Sequence, residues 1–337
     1  MIGKRISNRI GLLPVYLMIL GLALACRVEA HHGVVSLGVA GLTGPGAPLE
    51  TSSSATLPTG SWLGYLKLDH AIFETYTAAV DDEGKTNTFW MFGLGFGARS
   101  WLSLYAFTPF YAKRAEDNSF NSAGFADMSL MGVFGFKYDG RLRLVPEHES
   151  LDDLEDWHFT LSTGLTLPTG DENLTAASGD IDPGKSLGFG EPSYSLGLTA
   201  TKQLFRRLTL VHEVSWITFQ EHQYADGQKV RFGDELRLNS ALAVRMVTDE
   251  SSQLRLDGNL EANYLQLGRD EADGMGEDAT GGKILYVVPG LRLTRAAVSF
   301  GIGYKLPIWT ELNEEDAQQG AEGKEKGRVI FAFSTIF

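Results

Sequence analysis

Residues 296–308 read AAVSFGIGYKLPI. The even positions are Ala296, Val298, Phe300, Ile302, Tyr304, Leu306 and Ile308, and the odd ones include Ser299, Gly301, Gly303, Lys305 and Pro307. One face is apolar throughout and the other is small or polar, with a period of two, which is the pattern of a β-strand. The alternation returns in 254–264, where Leu254, Leu256, Leu260, Ala262 and Tyr264 face away from Arg255, Asp257, Asn259, Glu261 and Asn263. In 230–246, Val230, Phe232, Leu236, Leu238, Leu242, Val244 and Met246 oppose Arg231, Glu235, Arg237, Asn239 and Arg245. These runs are far longer than the five or six residues of an ordinary strand.

The pattern predicts twelve strands, near 61–73, 87–98, 101–112, 125–138, 157–168, 189–203, 207–219, 229–246, 252–267, 283–294, 297–310 and 327–337. Short connections, as at Arg99–Ser100 and Arg295–Ala296, alternate with long acidic ones such as 169–188 and 268–282. Soluble sandwiches have no reason to sort their loops by end, whereas an outer-membrane barrel has short periplasmic turns, long outer loops and an even strand count. The expected fold is therefore all-β: a transmembrane antiparallel up-and-down barrel of about twelve strands in the outer membrane of a Gram-negative bacterium. One connection, 139–156, breaks the alternation, being long where a periplasmic turn is expected.

The N-terminal 30 residues are of another kind. Lys4, Arg5 and Arg9 precede an apolar run from Ile10 to Ala25, and small residues lead to Ala30, so 1–30 reads as a signal peptide cut after Ala30. Residues 31–60, rich in Gly, Ser and Thr, read as a periplasmic lead or a plug, and 61–337 as the barrel. Cleavage would remove four of the 29 basic residues and one of the 42 acidic ones, leaving 25 and 41 and a net charge of −16. So acidic a chain repels nucleic acid. The single cysteine, Cys26, falls in the leader, so neither disulfides nor a thiolate metal site is expected in the mature chain. No cofactor is expected.

If the apolar faces meet lipid, the opposite faces line a lumen. The candidate lining residues are Glu213, Arg231, Glu235, Arg237, Asn239, Arg255, Asp257, Asn259, Glu261, Asn263, Arg292 and Lys305. Placing the turn at Val247–Ser251 sets Arg237 opposite Glu261 and Asn239 opposite Asn259, which stiffens the wall or selects a solute. Twelve strands make a barrel narrower than an open porin. In the last strand Val329, Phe331, Phe333 and the terminal Phe337 share one face, as expected of a signal read by the barrel-assembly machinery. Outer-membrane lipid and a small-molecule solute complete the expected partners.

Four segments, GFADMSLMGVFGFKY (124–138), TGLTLPTGDENL (163–174), LGFGEPSYSLGLTATKQL (187–204) and GYKLPIWTELN (303–313), resemble the outer-membrane transporter family named for the meta-pathway of phenol degradation. The resemblance covers the whole mature chain, with LPTGD its most specific part. It implies an outer-membrane barrel grouped with channels for hydrophobic or aromatic compounds, and it brings no catalytic residues. The rival readings are a structural or surface-interaction barrel with a plugged lumen and an outer-membrane hydrolase. Against the hydrolase, His158 and Ser162 are four strand residues apart, roughly 13 Å, too far for a nucleophile and its base. His31 and His32 are weak candidates for copper or nickel, and no metal is assigned to them.

Overall fold

The computed structural model describes residues 48–74, 84–116, 118, 121–147, 155–175, 179, 181–313 and 324–337. The signal peptide expected at 1–30 with its cut after Ala30, and His31 and His32, lie outside these residues. Among the described residues there is no helix; twelve long strands form one antiparallel sheet closed on itself. They are β1 (Trp62–Phe73), β2 (Gly84–Arg99), β3 (Leu102–Ala115), β4 (Met128–Tyr138), β5 (Trp157–Leu167), β6 (Ser193–Phe205), β7 (Leu208–Thr218), β8 (Glu235–Asp249), β9 (Leu254–Leu267), β10 (Gly282–Arg295), β11 (Val298–Leu312) and β12 (Glu325–Ile336). Each pairs with its sequence neighbours, and β12 closes on β1, with Leu66 opposite Phe333 and Leu68 opposite Phe331. Closure leaves no exposed ladder edge, which a lipid environment cannot tolerate.

The alternation sorts the side chains as the sequence implies. Outside stands a belt of half-exposed apolar residues that includes Leu104, Leu130, Leu161, Leu198, Leu242, Leu260, Leu291, Phe300 and Phe333. A belt running round every strand far exceeds the apolar patches of a soluble surface, and hydrocarbon is the medium in which it is stable. His212 also faces outward and shares a 2.8 Å hydrogen bond with Ser240 on the next strand, so its polar edge is satisfied there. The Val329, Phe331 and Phe333 face is outward too, and Phe337 is tied to β1 by reciprocal backbone bonds with Trp62 of 2.8 and 2.9 Å.

Short turns gather at one end of the barrel, called here the turn end, and long connections at the other, the loop end. The long 139–156 connection carries a three-stranded edge: Leu142–Leu144 pairs back onto β4, with Leu144 opposite Phe136. The sequence-based strand at 229–246 is broken. Phe232–Asp234 leave the ladder, and Lys229–Arg231 pairs instead with Glu221–Gln223 and Glu271–Ala272 in a small four-stranded sheet over the loop end. Arg231 is therefore not a lumen residue; it sits near Asp234 and Glu271 at 3.7 and 3.5 Å.

The β8–β9 register also differs from the expected one. Asn239 faces Asn263, Ala241 faces Glu261 and Leu242 faces Leu260, so Arg237 does not oppose Glu261. The cause is the turn, which lies at Glu250–Gln253 and moves the sum of paired numbers from the expected 498 to 503, with a one-residue bulge between Arg245 and Val247 bringing it to 502 along the rest of the ladder. The slip is an even number of residues, so every side chain keeps its face.

Candidate functional site

The lumen is not open. Residues 48–60 cross it as an irregular strap, and Leu49, Glu50, Thr51, Ser52, Ser54, Thr56 and Leu57 are all buried. The stretch LETSSSATL has no period-two or helical hydrophobic pattern, so it forms no element that satisfies its own backbone. Buried N–H groups must then find acceptors elsewhere. They find lumenal side chains.

Glu261 on β9 accepts the backbone N–H groups of Leu49 (2.6 Å), Glu50 (3.2 Å) and Thr51 (2.8 Å), and the Thr51 hydroxyl at 2.8 Å. Glu213 on β7 accepts the Ser52 N–H and hydroxyl at 2.8 and 2.9 Å, while Asn239 donates to the same carboxylate at 3.0 Å. Asn263 donates to the Thr51 hydroxyl at 3.3 Å. Arg292 donates to the Pro48 carbonyl at 2.9 Å and to the Ser299 hydroxyl at 3.0 Å. Toward β1, the Ser103 hydroxyl accepts the Leu57 N–H at 2.8 Å, and Thr56 donates to the Ser100 carbonyl. Hydrogen bonds to charged acceptors are the strong kind, about 1.5–3 kcal/mol each.

The one carboxylate on the strap, Glu50, lies between Lys305 of β11, 2.7 Å away, and Lys67 of β1. Burial opposes its ionisation, but Lys305 and Lys67 outweigh that and hold its pKa well below the usual carboxylate range. A depressed carboxylate contributes stability that is present above its unfolded pKa and lost only as pH falls through the lower folded value. The Glu50 carboxyl carbon, followed by NMR in the refolded barrel, is expected to stay at its ionised shift when pH is lowered to about 4, near the ordinary midpoint. A midpoint at that ordinary value would mean the lysines do not hold it.

Glycines on the inner wall are sockets for the strap. A Cβ at Gly290, Gly301 or Gly303 would come under 3.0 Å from the Leu49 side chain, one at Gly97 would meet the Pro58 carbonyl, and one at Gly135 the Thr56 methyl. The small inner face of 296–308 is thus room for another part of the chain.

Further charges fill the lumen beside the strap. Arg328 pairs with Glu325 and lies 3.5 Å from Asp69; Arg237 pairs with Glu235 at 2.6 Å, and Arg255 with Asp257 at 2.7 Å. Of the candidate lining residues, Glu213, Glu261, Asn239, Asn263, Arg292 and Lys305 converge on the strap or on the groups holding it. Glu235, Arg237, Arg255 and Asp257 form short pairs along their own strands, Asn259 is buried, and Arg231 stands outside. Sequence reasoning missed Glu50, Lys67, Asp69, Glu325 and Arg328. Lys67 and Asp69 alternate with Leu66 and Leu68, a signal that would have placed them inside.

At the loop end, three of the segments that carry the family resemblance meet at one side chain. Asp127 accepts the N–H groups of Thr169 (2.9 Å) and Gly170 (2.8 Å) with one oxygen and of Phe189 (2.8 Å) with the other. The two stretches pack so closely that a Cβ on Gly188 would come under 3.0 Å from the Gly170 backbone and one on Gly170 under 3.0 Å from the Leu187 backbone. ADM, LPTGD and GFGE are therefore one knot, tied where the connection 168–192 leaves β5.

The profile of the family described as "Putative MetA-pathway of phenol degradation" matches residues 82–313. The chain belongs to that family. In structure it is similar to the COG4313 outer membrane channel from Pseudomonas putida F1, with a TM-score of 0.64 at 14% identity over 85% of this chain and 98% of that one. Weaker likenesses are to the NanC porin (TM-score 0.45, 8% identity, 80% of this chain and 98% of that one). The translocator domain of the autotransporter NalP from Neisseria meningitidis is of the same grade (TM-score 0.47, 12% identity, 83% and 89%). No curated protein is similar in sequence. The fold of this family member is thus the closed twelve-stranded barrel of outer-membrane proteins, read first from its strand periodicity.

Proposed function

We infer that this chain is an outer-membrane channel for small solutes, with a transport rather than a catalytic role, and that the strap 48–60 is its gate. The observation that carries this is how the strap is held. Apart from the Gly60 N–H, which donates to the Gly97 carbonyl where the chain enters β1, it joins the wall through side-chain hydrogen bonds and one ion-pair bridge, not through a strand ladder, so it can leave the lumen without unpairing the barrel. The loop end then faces outward and the turn end the periplasm, lipid covers the apolar belt, and the assembly machinery reads the strand ending in Phe337.

The solute we favour is hydrophobic or aromatic. The family's description supports this, as does a cluster at the loop end in which Phe189, Phe219 and Phe232 meet tilted or edge-to-face with ring centroids 4.8–6.1 Å apart beside Ile217. The second reading is a barrel that stays plugged while its loops do the work, and the small sheet over the loop end favours it. A cross-link separates the two. Ser54 N and Thr201 Oγ1 are 3.3 Å apart, so Ser54→Cys with Thr201→Cys, in a chain refolded from residue 31, can tie the strap to the wall. A planar bilayer is expected to be silent after oxidation and to conduct after reduction. Silence in both states would support the plugged barrel.

A further inference from the structure

The wall is paired at every seam, but the seam between β11 and β12 is paired over only part of its height. From Val298 opposite Thr335 to Lys305 opposite Arg328 the ladder is continuous. Beyond Lys305 both strands run on, and among the described residues they no longer pair with each other. Residues 306–312 of β11 hold to β10 alone, with Leu306 opposite Val287 and Pro307 opposite Tyr286. Gly327 and Glu325 of β12 hold to Ile72 and Phe73 of β1. The residues at the parting account for it. Pro307 has no N–H to give to a ladder. A bulge at Lys326 bends β12, and one at Ile308, unmatched between Pro307 and Trp309, bends β11.

The parting lies between two apolar surfaces. On the lipid side, Leu306, Ile308 and Trp309 of β11 and Ile72 of β1 are exposed members of the outer belt, which puts the opening at hydrocarbon depth. Trp309, of a type that settles at the membrane boundary, marks its upper limit. Tyr304 marks the lower one: its hydroxyl lies so near Gly327 that a Cβ there would come under 3.0 Å from it. On the lumen side, Leu265, Leu267, Ile284 and Tyr286 are buried in one cluster with Leu312. They form an apolar strip on β9, β10 and β11, beside a lumen crowded with charge. The strip begins where the strap's hold ends, since the Lys305 ammonium that pairs with Glu50 lies 4.5 Å from the Tyr286 ring centroid.

We propose that the parting between β11 and β12 is a side portal, through which an uncharged apolar or aromatic solute that enters at the loop end passes from the strip into the bilayer. The inference rests on the hydrophobic-solute reading above and adds the route. Such a solute stays against apolar surface throughout, and hydrocarbon is the medium in which it is most stable. The axial way past the strap would instead bring it against buried charges whose polar partners it cannot replace. The strap can therefore stay docked while the portal works, and it controls the axial route alone.

The test is entry of the neutral aromatic dye N-phenylnaphthylamine, which brightens in hydrocarbon, into vesicles whose outer leaflet contains lipopolysaccharide. A chain refolded from residue 31 carries Leu306→Cys with Lys326→Cys, both exposed beside the parting, and a short bis-thiosulfonate reagent ties the two. Both positions face outward, so the variant should keep its fold, which heat-modifiable migration on a gel checks. The parent is expected to speed dye entry over that of empty vesicles. The tied variant should lose that gain, and reduction should restore it. Ser54→Cys with Thr201→Cys, oxidised, should leave dye entry at the parent rate, because the portal lies on the loop side of the strap. A parent no faster than empty vesicles would sink the hydrophobic-solute reading and the portal with it. Dye entry that survives the tie across the parting, or that stops when the strap is tied, would overturn the portal alone and send the solute through the axial lumen.

Discussion

A barrel carrying both Glu213→Ala and Glu261→Ala is expected to release its strap and to conduct with a higher open probability than the unmodified barrel. Together these carboxylates accept four strap backbone N–H groups and two strap hydroxyls. Among the described residues, no other strap contact offers a charged acceptor to so many donors. Without them the buried amides of 49–52 have no partner short of water, and each such orphan costs about 1–3 kcal/mol. Even the low end of that range, spread over four amides, shifts the docked-to-free ratio by more than about a hundredfold. Single-channel recording should show the open probability rise accordingly, and Glu261→Gln, which keeps an acceptor oxygen, should give a smaller rise. If the double variant conducts no more than its parent while folded, the strap is held by its glycine sockets and the Glu50 bridge, and the lumenal acids only fill space.

The second large effect lies at the loop end. Asp127→Ala should destabilise the barrel's outer connections by about 2–4 kcal/mol, because three backbone donors lose a charged acceptor at once. The loss is local, so the heat-modifiable band should persist while limited proteolysis cuts within 168–192 far faster than in the parent. Asp127→Asn, which retains an acceptor oxygen but loses the charge, should fall between. Unchanged proteolysis in the alanine variant would show that the packing of Gly170 on Gly188 suffices for the knot.

Most of the barrel is legible in the chain because a period of two sustained over a dozen residues fits a long strand with two unlike faces and fits no helix. What is not legible is local. The later turn and the one-residue bulge near Met246 together shift the β8–β9 pairing by an even step, and nothing in VRMVTDESSQ marks where the chain turns or where a ladder takes an extra residue. Arg231 is misplaced by its pattern because the alternation continues through Phe232 into Glu235, although the backbone leaves the wall between them. The strap shows in the sequence only as a Ser- and Thr-rich lead; its partners are scattered from 17 to 255 residues away along the chain, so no local pattern could announce them. Lysines on a barrel's inner face are ordinary, and only the structure shows that Lys67 and Lys305 share one acid. The family segments are recognisable, but their reason for standing together, a single aspartate tying both ends of the 168–192 connection to its own segment, is a property of the folded chain.

The Glu50 bridge has a bearing on how the cylinder shuts. Lys67 stands on the first strand and Lys305 on the eleventh, with the twelfth between them, so the two ammonium groups straddle the seam at which the ends of the sheet meet. A seam mispaired by two residues keeps every apolar side chain outward and is invisible to lipid. It would, however, carry Lys67 about 7 Å along the wall, beyond the span of one carboxylate. Glu50 thereby works as a gauge of correct closure, distinguishing the native join from slipped ones that hydrophobicity alone accepts.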